Sequence, residues 1–484
     1  MKRKYNEIID SRRDDIVAML RELIAFKSVK GEPSEGKPFG EGVHLAYMYM
    51  LEKGRSDGFE ISDVDGFGGH IEWSGMELDE GGEVISLADE TLGIPVHLDV
   101  VPEGSDEWSH APFGAEIEDG KIYGRGAADN KDAVAAVYSA IKALKDSGYV
   151  PKKNVRVILG LDEETGWIGM KKYLEATDAP DLGFVPDADF PAINGEKGII
   201  DFELAKKLSK SNEKGISLRS VSGGNAPNMV PDRARAVVMD ESDSGYEAVK
   251  EKIAAFREAT GYKVYGKGVG KAFEISALGK SAHGAYPEAG LNAISILLEF
   301  LDGIGIANES VRDFLSFYRD RIGFDTDGAR MGIGFSDEPS GKLTFNVGMI
   351  GMDSEAVILT VNARYPVTML EERVYEAMSP LIHEYDLGIV KCDSKPPIYF
   401  PEDDPFIETL MDVYRENTGD TRSRPLVIGG GTYARAVPNA VAFGPQFPGE
   451  SGRIHQADEY AVEDNLLKIT HIYADAIYRL TGGV

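Results

Sequence analysis

Apolar residues recur along the first 200 positions with two different spacings. Helical spacing over 6–26 and 130–145 predicts two amphipathic helices. Nearly continuous apolar runs over 92–99 and 154–161 predict strands buried in a sheet interior, and 83–88 predicts a further strand. Because strands alternate with helices, this part of the chain favours an α/β domain with a mostly parallel sheet.

The middle of the chain follows a different pattern, in which strand-like segments dominate. Helix–strand alternation resumes after about residue 400 and ends in a helix predicted over 463–480. We therefore expect an α/β domain formed by both chain ends, residues 1–197 and 396–484, and interrupted by an inserted α+β domain over 198–395. The strands predicted in the insert are 233–239, 273–278, 343–350 and 356–364, with a hairpin turn at 351–354 and helices near 245–259 and 291–302.

Length and charge agree with this division and exclude some partners. A chain of 484 residues exceeds a single core of ordinary size, so two domains are expected. Lys and Arg total 52 against 81 Asp and Glu, which gives a formal net charge of −29. A charge of this sign and size disfavours nucleic acid and anionic membranes as partners.

Cysteine content and hydropathy indicate where the protein resides. The single cysteine, Cys392, excludes an intramolecular disulfide, so nothing indicates an oxidising compartment. The first twenty residues lack the apolar run of a signal peptide, and no stretch of about 18 apolar residues occurs. We therefore expect a cytoplasmic protein that does not enter a membrane.

A histidine and a carboxylate lie together at the end of one predicted strand. His97 and Asp99 occur in V-H-L-D-V-V-P, and residues two apart in a strand point to the same side. The carboxyl ends of strands are where α/β sheets place their sites. A metal-bound imidazole needs an acceptor for its second nitrogen, which a nearby carboxylate commonly provides. A buried ion pair is the alternative interpretation.

Acidic residues follow other predicted strands or precede a helix. Asp129 follows G-R-G-A-A and precedes the helix at 130–145, where a helix N-cap is the alternative interpretation. Glu163 and Glu164 occur in G-L-D-E-E-T-G-W, and like charges at a strand end are unfavourable unless a cation or water offsets them. Adjacent side chains diverge, so one glutamate can bind a metal while the other faces a water. An ordinary acidic loop is the alternative.

Further ligand candidates come later in the chain. Asp187 and Asp189 end another apolar run, and His455 precedes the last predicted helix. Imidazole and carboxylate ligands suit Zn²⁺ and also admit Mn²⁺ or Co²⁺. In di-metal hydrolases a carboxylate commonly bridges two ions about 3.5–4 Å apart. We therefore expect two divalent metal ions, Zn²⁺ first and Mn²⁺ or Co²⁺ as alternatives.

In this order, the motifs resemble those of a zinc exopeptidase family. The family contains acetylornithine deacetylase, succinyl-diaminopimelate desuccinylase, aminoacylase, carboxypeptidase G and carnosinase, and the nearest branch looks like the bacterial V-type dipeptidases. The resemblance runs from about His97 to Tyr460. It implies the phosphorylase/hydrolase-like zinc exopeptidase fold, in which a lid domain is inserted into the catalytic domain.

The resemblance also implies a ligand set for each metal ion. His97, Asp129 and Asp187 would hold one ion. Glu164, His455 and the bridging Asp129 would hold the second ion. Each of these residues stands at the matching position of a family motif.

The peptide bond that follows the bridging aspartate is usually cis in the family, which here means Asp129–Asn130. Two residues depart from the family pattern. Pro95 stands where glycine is usual before the metal histidine, and Asp132 stands where glycine usually follows the lysine. Neither residue is a proposed ligand, but both lie close to one in sequence and could shift the local geometry.

The remaining catalytic roles follow from the same resemblance. Glu163 would be the general base that takes a proton from a metal-bridging water, and Asp99 would orient His97. His283, in the lid motif G-K-S-A-H-G, would stabilise the oxyanion together with one metal ion. These assignments make Glu163, Asp99 and His283 the catalytic residues that we expect.

Substrate binding is implied by three further motifs. N-M-V-P (228–231), V-N-A-R-Y-P (361–366) and G-G-G-T-Y-A-R (429–435) match the lid asparagine, the lid arginine and a glycine-rich loop. An arginine fork and approachable backbone N–H groups both suit a terminal carboxylate. For the arginine, a salt bridge at a strand end is the alternative. The substrate-binding residues implied are Asn228, Arg364, Gly430, Gly431, Thr432 and Arg435.

Together these features predict a di-metal dipeptidase that hydrolyses the peptide bond of dipeptides. The enlarged insert resembles that of V-type dipeptidases, where one lid does the work of two, so we expect an active monomer. An N-acyl-amino-acid deacylase or desuccinylase with the same metals is the alternative. A metal-binding relative without activity is a further alternative, which the presence of the base and all the ligands disfavours.

Overall fold

The computed structural model describes residues 3–104, 106–210, 214–240, 246–450 and 452–483. Its helices are α1 (Lys4–Ser11), α2 (Arg13–Ala25), α3 (Glu41–Ser56), α4 (Lys131–Asp146), α5 (Ile168–Ala176), α6 (Glu247–Thr260), α7 (Ala293–Asp302), α8 (Glu309–Arg321), α9 (Glu371–Glu384), α10 (Pro405–Thr418) and α11 (Glu463–Leu480), with 3₁₀ turns η1 (Pro287–Ala289) and η2 (Tyr433–Arg435). Its strands are β1 (Glu60–Asp63), β2 (Gly69–Trp73), β3 (Met76–Leu78), β4 (Val84–Leu87), β5 (Thr91–His97), β6 (Glu116–Glu118), β7 (Lys121–Tyr123), β8 (Asn154–Gly160), β9 (Leu182–Val185), β10 (Ala188–Asp189), β11 (Ile193–Glu196), β12 (Gly198–Lys207), β13 (Ile216–Gly223), β14 (Arg233–Asp240), β15 (Lys263–Val269), β16 (Ala272–Leu278), β17 (Ser336–Asp337), β18 (Gly341–Lys342), β19 (Thr344–Met352), β20 (Ala356–Tyr365), β21 (Gly388–Lys395), β22 (Ile398–Tyr399), β23 (Leu426–Ile428), β24 (Ala440–Ala442), β25 (Pro445–Gln446) and β26 (Tyr460–Val462).

The chain divides into two compact units. The first comprises Met1–Asn194, Phe400–Leu426 and Gly431–Val484, and the second comprises Gly195–Tyr399 and Val427–Gly430. The first unit therefore contains both chain ends, and the second is an insertion in it. A short part of the glycine-rich motif groups with the second unit, apart from the rest of that motif.

The first unit is built on a mixed sheet in the order β1-β2-β8-β5-β9-β24-β11. Strands β8, β5, β9 and β24 run parallel, and the strands outside them pair antiparallel. Every residue of β5 is buried, as its apolar run predicts for a central strand. Strands β5 and β8 are parallel, and His97 lies opposite Gly160. The segments that follow the two strands therefore begin at the same end of the sheet.

Helix α4 is buried along most of its length and packs against α1, α2 and α11. Its sequence KDAVAAVYSAIKALKD is rich in alanine, which favours helix and lets neighbouring helices approach closely. The helix begins at Lys131, directly after the Asp129–Asn130 bond. The buried helix therefore fixes where Asp129 lies.

The second unit contains an antiparallel sheet in the order β15-β16-β14-β13-β19-β20-β12-β21. Strand β12 alternates between buried and partly exposed residues, the pattern of a strand with one face on a core. Helix α7 packs on β14, β16 and β19 and contributes apolar residues such as Ile294 and Leu297 to that core. Arg364 lies on β20 of this sheet, opposite Ile199 on β12.

The predicted α/β fold with an inserted α+β domain is confirmed, but two elements differ from their predictions. The single helix predicted over 6–26 is interrupted at Arg12, whose backbone leaves helical geometry between α1 and α2. Both short helices still pack against α4, so the apolar spacing survives the break. The strand predicted at 83–88 is β4, which pairs with β3 in an exposed hairpin and lies outside the main sheet.

The other predicted elements are present within a few residues of their expected ends. The helix predicted near 245–259 is α6, and its predicted first residue lies outside the described part of the chain. Among the described residues, no helix combines the length and apolarity that crossing a bilayer requires.

Candidate metal centre

His97 ends strand β5 with its side chain almost completely buried. Its Nε2 atom lies 3.1 Å from Asp129 Oδ1 and 3.7 Å from Asp187 Oδ1. Burial opposes the charged imidazole, but the contacts with Asp129, Asp187 and Asp99 outweigh it and raise the pKa of His97 well above its ordinary value.

Asp99 hydrogen-bonds to the His97 imidazole through its backbone carbonyl and not through its carboxylate. His97 Nδ1 is 3.0 Å from the carbonyl oxygen of Asp99, whereas the nearer carboxylate oxygen is 3.6 Å away. The carboxylate instead accepts hydrogen bonds from the backbone N–H groups of Glu163 and Glu164, each at 3.1 Å. Asp99 thus joins the end of β5 to the segment after β8 that carries both glutamates.

Asp129 precedes α4, and the Asp129–Asn130 peptide bond is cis, as is usual in the family that the motifs resemble. The side chain of Asn130 hydrogen-bonds to the segments that carry His97 and Asp187. Its side-chain oxygen accepts from the backbone N–H of His97 at 3.3 Å. Its side-chain nitrogen donates to the carbonyl of Pro186 at 2.5 Å and to Asp187 Oδ1 at 3.3 Å.

A second set of contacts surrounds the other oxygen of Asp129. His455 Nε2 lies 3.0 Å from Asp129 Oδ2 and 3.0 Å from Glu164 Oε1. The hydrogen bonds to Asp129 and Glu164 raise the pKa of His455 to about 10. For Asp129 itself, burial raises the pKa, but the two histidines dominate and hold it well below its ordinary value.

The structure therefore places the five predicted ligands in two groups that share Asp129. One group is His97, Asp129 and Asp187, and the other is Asp129, Glu164 and His455. Within each group the candidate ligand atoms lie within 4.8 Å of one another. These are the only such groups of histidine, cysteine and acidic side chains among the described residues. Imidazole and carboxylate oxygen in this proportion fit two divalent ions with one bridging carboxylate.

Asp187 and Glu163 are two buried acids of the centre whose pKa values are raised. Burial raises the pKa of Asp187 to about 6, although the contact with His97 opposes this. Burial, followed by the negative charge of Asp187, raises the pKa of Glu163 well above its ordinary value. Glu163 belongs to neither ligand group, and its backbone carbonyl accepts from Trp167 Nε1 at 2.9 Å. Asp189, the other acid of that motif, is exposed on β10.

The glycine-rich motif is divided between the two units. Gly431, Thr432 and Arg435 belong to the first unit, where Thr432 caps η2 by accepting from the Ala434 N–H at 3.1 Å. Gly430 belongs to the second unit. The part that these four residues play in substrate binding stays a prediction.

In the second unit, Asn228, His283 and Arg364 occupy neighbouring segments. The backbone carbonyl of Asn228 accepts from Gly284 N at 2.7 Å, directly after His283. Arg364 is buried, and it donates through Nε to Asn362 at 3.1 Å and through Nη1 to the Gly429 carbonyl. Burial, assisted by the positive charge of Arg364, lowers the pKa of His283.

Several polar residues that hydrogen-bond to the ligand-bearing segments were not predicted from the sequence. Asn130, Arg125 and Glu459 lie inside the motifs that supplied Asp129 and His455, yet the spacing gave them no role. Tyr433 was missed as well, although it stands in the glycine-rich motif. It is fully buried, and its pKa is raised well above normal by burial and then by the charge of Asp99. A polar side chain inside a ligand motif is the signal that could have found them.

Comparison with known proteins places the chain in a family. The chain matches Peptidase family M20/M25/M40 over residues 93–479. Putative dipeptidase YtjP of Bacillus subtilis (strain 168) is 38% identical over 477 residues, which cover 97% of this chain and 98% of that protein. Putative dipeptidase MW1694 of Staphylococcus aureus (strain MW2) is 35% identical over 483 residues, which cover 98% and 99%.

Solved structures agree at the level of the fold. Human carnosine dipeptidase 1 is 16% identical with a TM-score of 0.53, covering 99% of this chain and 98% of that chain. Aminoacylhistidine dipeptidase from Vibrio alginolyticus is 13% identical with a TM-score of 0.54, covering 96% of each chain. The family resemblance predicted from the motifs is confirmed by a match that includes every ligand candidate and by relatives aligned along nearly their whole length. The chain belongs to peptidase family M20/M25/M40.

Proposed function

We propose that this chain is a di-metal dipeptidase. The observation that carries the proposal is the sharing of Asp129 between two groups of ligand atoms, with a further carboxylate, Glu163, beside them. Supporting it, relatives at 35–38% identity over nearly the whole chain bear the name Putative dipeptidase. Two-metal peptidases use such a pair of sites, and a carboxylate that binds neither ion can act beside them as the general base.

His97, Asp129 and Asp187 would hold one ion, and Asp129, Glu164 and His455 would hold the other. We propose Zn²⁺ for both positions, since imidazole with carboxylate suits it, and Mn²⁺ or Co²⁺ would be accepted by the same ligands. When bound, the two ions would polarise the scissile carbonyl and lower the pKa of the attacking water toward neutrality.

Glu163 is the general base in this proposal. Its raised pKa suits a carboxylate that takes a proton from the attacking water at one oxygen and returns it to the leaving amine. Asp99 keeps the backbone of Glu163 in place through the bond at 3.1 Å, and Trp167 adds a second bond at 2.9 Å. The carboxylate can therefore move a proton while its main chain stays fixed.

The second unit supplies the proposed substrate contacts. His283, whose pKa burial lowers, would be neutral at physiological pH and could donate to the oxyanion. Asn228 and Arg364 would bind the substrate, and Arg364 suits its terminal carboxylate. Gly430 with Gly431, Thr432 and Arg435 would complete carboxylate recognition. A monomeric, cytoplasmic enzyme is part of the same proposal.

The test is a dipeptide-library screen on protein freed of metal with a chelator and reconstituted with Zn²⁺, Mn²⁺ or Co²⁺. The proposal expects hydrolysis of dipeptides and little cleavage of N-acyl amino acids. Preferential cleavage of N-acyl amino acids would show that the enzyme is a deacylase and not a dipeptidase. Gel filtration across a dilution series measures the oligomeric state, and activity that falls as a dimer dissociates would contradict the monomer.

A Glu163→Gln variant separates the base from the ligands. Removing the base should lower kcat by about 10²–10⁴-fold, because the proton of the water then lacks an acceptor. Both metal ions should still bind, since Glu163 belongs to neither ligand group. Near-normal turnover in this variant, with metal content unchanged, would refute the assignment of the base.

A further inference from the structure

The segment that carries His455 has an unfavourable backbone. Arg453, His455 and Asp458 have φ angles of 56°, 62° and 56°, in the left-handed region that residues with a Cβ atom rarely adopt. Such conformations persist where surrounding contacts determine them. The contacts that hold this segment therefore decide where the imidazole of His455 lies.

A buried ion pair provides several of those contacts. Arg125 and Glu459 are 2% and 0% exposed, and Arg125 Nη1 lies 2.6 Å from Glu459 Oε2. The other carboxylate oxygen of Glu459 accepts from the backbone N–H of Ala128 at 3.1 Å. Arg125 Nη1 also donates to the carbonyl of Gln456 at 3.2 Å. The backbone adds a bond from Gly124 N to the Glu459 carbonyl at 2.9 Å.

These bonds join the two chain segments whose ligands meet at the second metal group. Ala128 directly precedes Asp129, and Gln456 directly follows His455. Asp129 Oδ2 and His455 Nε2, brought together from the two segments, lie 3.0 Å apart. Neither member of the ion pair belongs to a ligand group, so the pair can act on a metal only by fixing the ligands.

Stability alone is a poor explanation for this pair. Taking two charges out of water is so unfavourable that an apolar pair of similar size is often as stable or more so. A buried pair that specifies one arrangement of its surroundings is a better-supported use. Residues beyond the ligands commonly set metal affinity by orienting them.

We propose that the Arg125–Glu459 pair is a positioning device that holds Asp129 and His455 at the separation the second metal ion requires. This inference rests on the di-metal centre of the proposed function. Loss of the pair is expected to weaken the ion held by His455 more than the ion held by His97, since the pair bonds directly to the His455 segment and reaches the His97 group only through Asp129, which both groups share.

The test is calorimetric titration of Zn²⁺ into metal-free full-length protein. Wild type should show two binding steps, and the variants His97→Ala and His455→Ala identify which step belongs to each group. Glu459→Gln keeps the size of the side chain and removes its charge. It should weaken the His455 step by about 10–100-fold and change the His97 step by less than about threefold.

Glu72→Gln is the matched control. Glu72 pairs with Arg156 in the same unit, and these side chains are 16% and 13% exposed. This pair joins β2 and β8 and lies on neither the Asp129 segment nor the His455 segment, the two that the Arg125–Glu459 pair joins. The control should leave both Zn²⁺ steps as in wild type, whatever its effect on stability.

Each outcome decides the proposal. Equal weakening of both steps in Glu459→Gln, or no weakening, would overturn it and leave the pair with a structural role only. If Glu459→Gln does not fold, Arg125→Lys, which keeps a cation opposite Glu459 but loses the planar fork, is judged by the same comparison. Wild type that binds two ions without cleaving dipeptides would contradict the proposed substrate and leave this inference standing. Wild-type protein that binds fewer than two ions would overturn both the di-metal centre and the positioning role of the pair.

Discussion

Asp99→Asn tests whether the buried carboxylate after β5 sets the positions of the two glutamates. Asp99 is 1% exposed, and its two oxygens accept from Glu163 N and Glu164 N at 3.1 Å each. An asparagine of the same shape keeps one acceptor oxygen and places an NH₂ group at the other. One buried backbone N–H then lacks a partner, which costs about 1–3 kcal/mol.

Asp162→Asn is the matched control for this change. Asp162 is also fully buried, and its oxygens accept from Ile168 N at 2.8 Å and Gly169 N at 2.9 Å. The control should therefore lose a similar free energy of unfolding. Its bonds reach the start of α5 and not the ligand side chains, so its metal affinity should change little.

Both variants are measured at pH 8 by thermal unfolding of the metal-free protein and by Zn²⁺ titration. Burial raises the pKa of Asp162 to about 6, so this pH keeps its carboxyl ionised in wild type. Asp99→Asn should weaken Zn²⁺ binding by about 10–100-fold, and Asp162→Asn by less than about threefold. Equal Zn²⁺ affinities in the two variants would refute the reasoning that Asp99 positions the ligands.

Two further changes probe the charge and the packing of the centre. The pKa of His455 is raised to about 10 by Asp129 and Glu164, and a metal ion binds only the neutral imidazole. Zn²⁺ affinity should therefore rise with pH between about pH 7 and 9, by up to about tenfold per pH unit for each proton released. Calorimetry in two buffers of different ionisation enthalpy should detect that proton release. A pH-independent Zn²⁺ affinity would count against the contacts of His455 with Asp129 and Glu164. A Cβ atom at Gly160 would lie 2.4 Å from Tyr433 Cε2, so Gly160→Ala should destabilise the protein by about 1–3 kcal/mol in thermal unfolding. Gly166→Ala, where nothing lies within 4 Å, should stay within about 0.5 kcal/mol of wild type, and equal melting temperatures for the two variants would show that the ring of Tyr433 can yield.

The ligands could be found from the sequence because parallel strands bring distant residues to one edge. His97 ends β5 and the glutamates follow β8, two strands with plain apolar runs, and Asp187 follows β9. The carboxyl ends of such strands meet wherever the sheet is parallel. Spacing therefore predicted the neighbourhood, and the family motifs supplied the division into two ligand sets.

The supporting contacts could not be predicted in the same way. Arg125 and Glu459 are 334 residues apart, and their pairing depends on how β7 and β26 align in a small sheet whose strands are only three residues long. Short strands leave a weak periodic signal. The break at Arg12 was missed for a related reason, because helical spacing continues across it while the backbone does not.

The central claim is that peptide hydrolysis in this chain requires two divalent ions, held by ligand groups that share Asp129. The most direct measurement titrates Zn²⁺ into metal-free protein and follows bound metal and dipeptide hydrolysis in the same samples. If this claim holds, there is no hydrolysis without metal, and activity is full only when two ions are bound per chain. Dipeptide hydrolysis by protein verified as metal-free, or full activity with one bound ion, would contradict it.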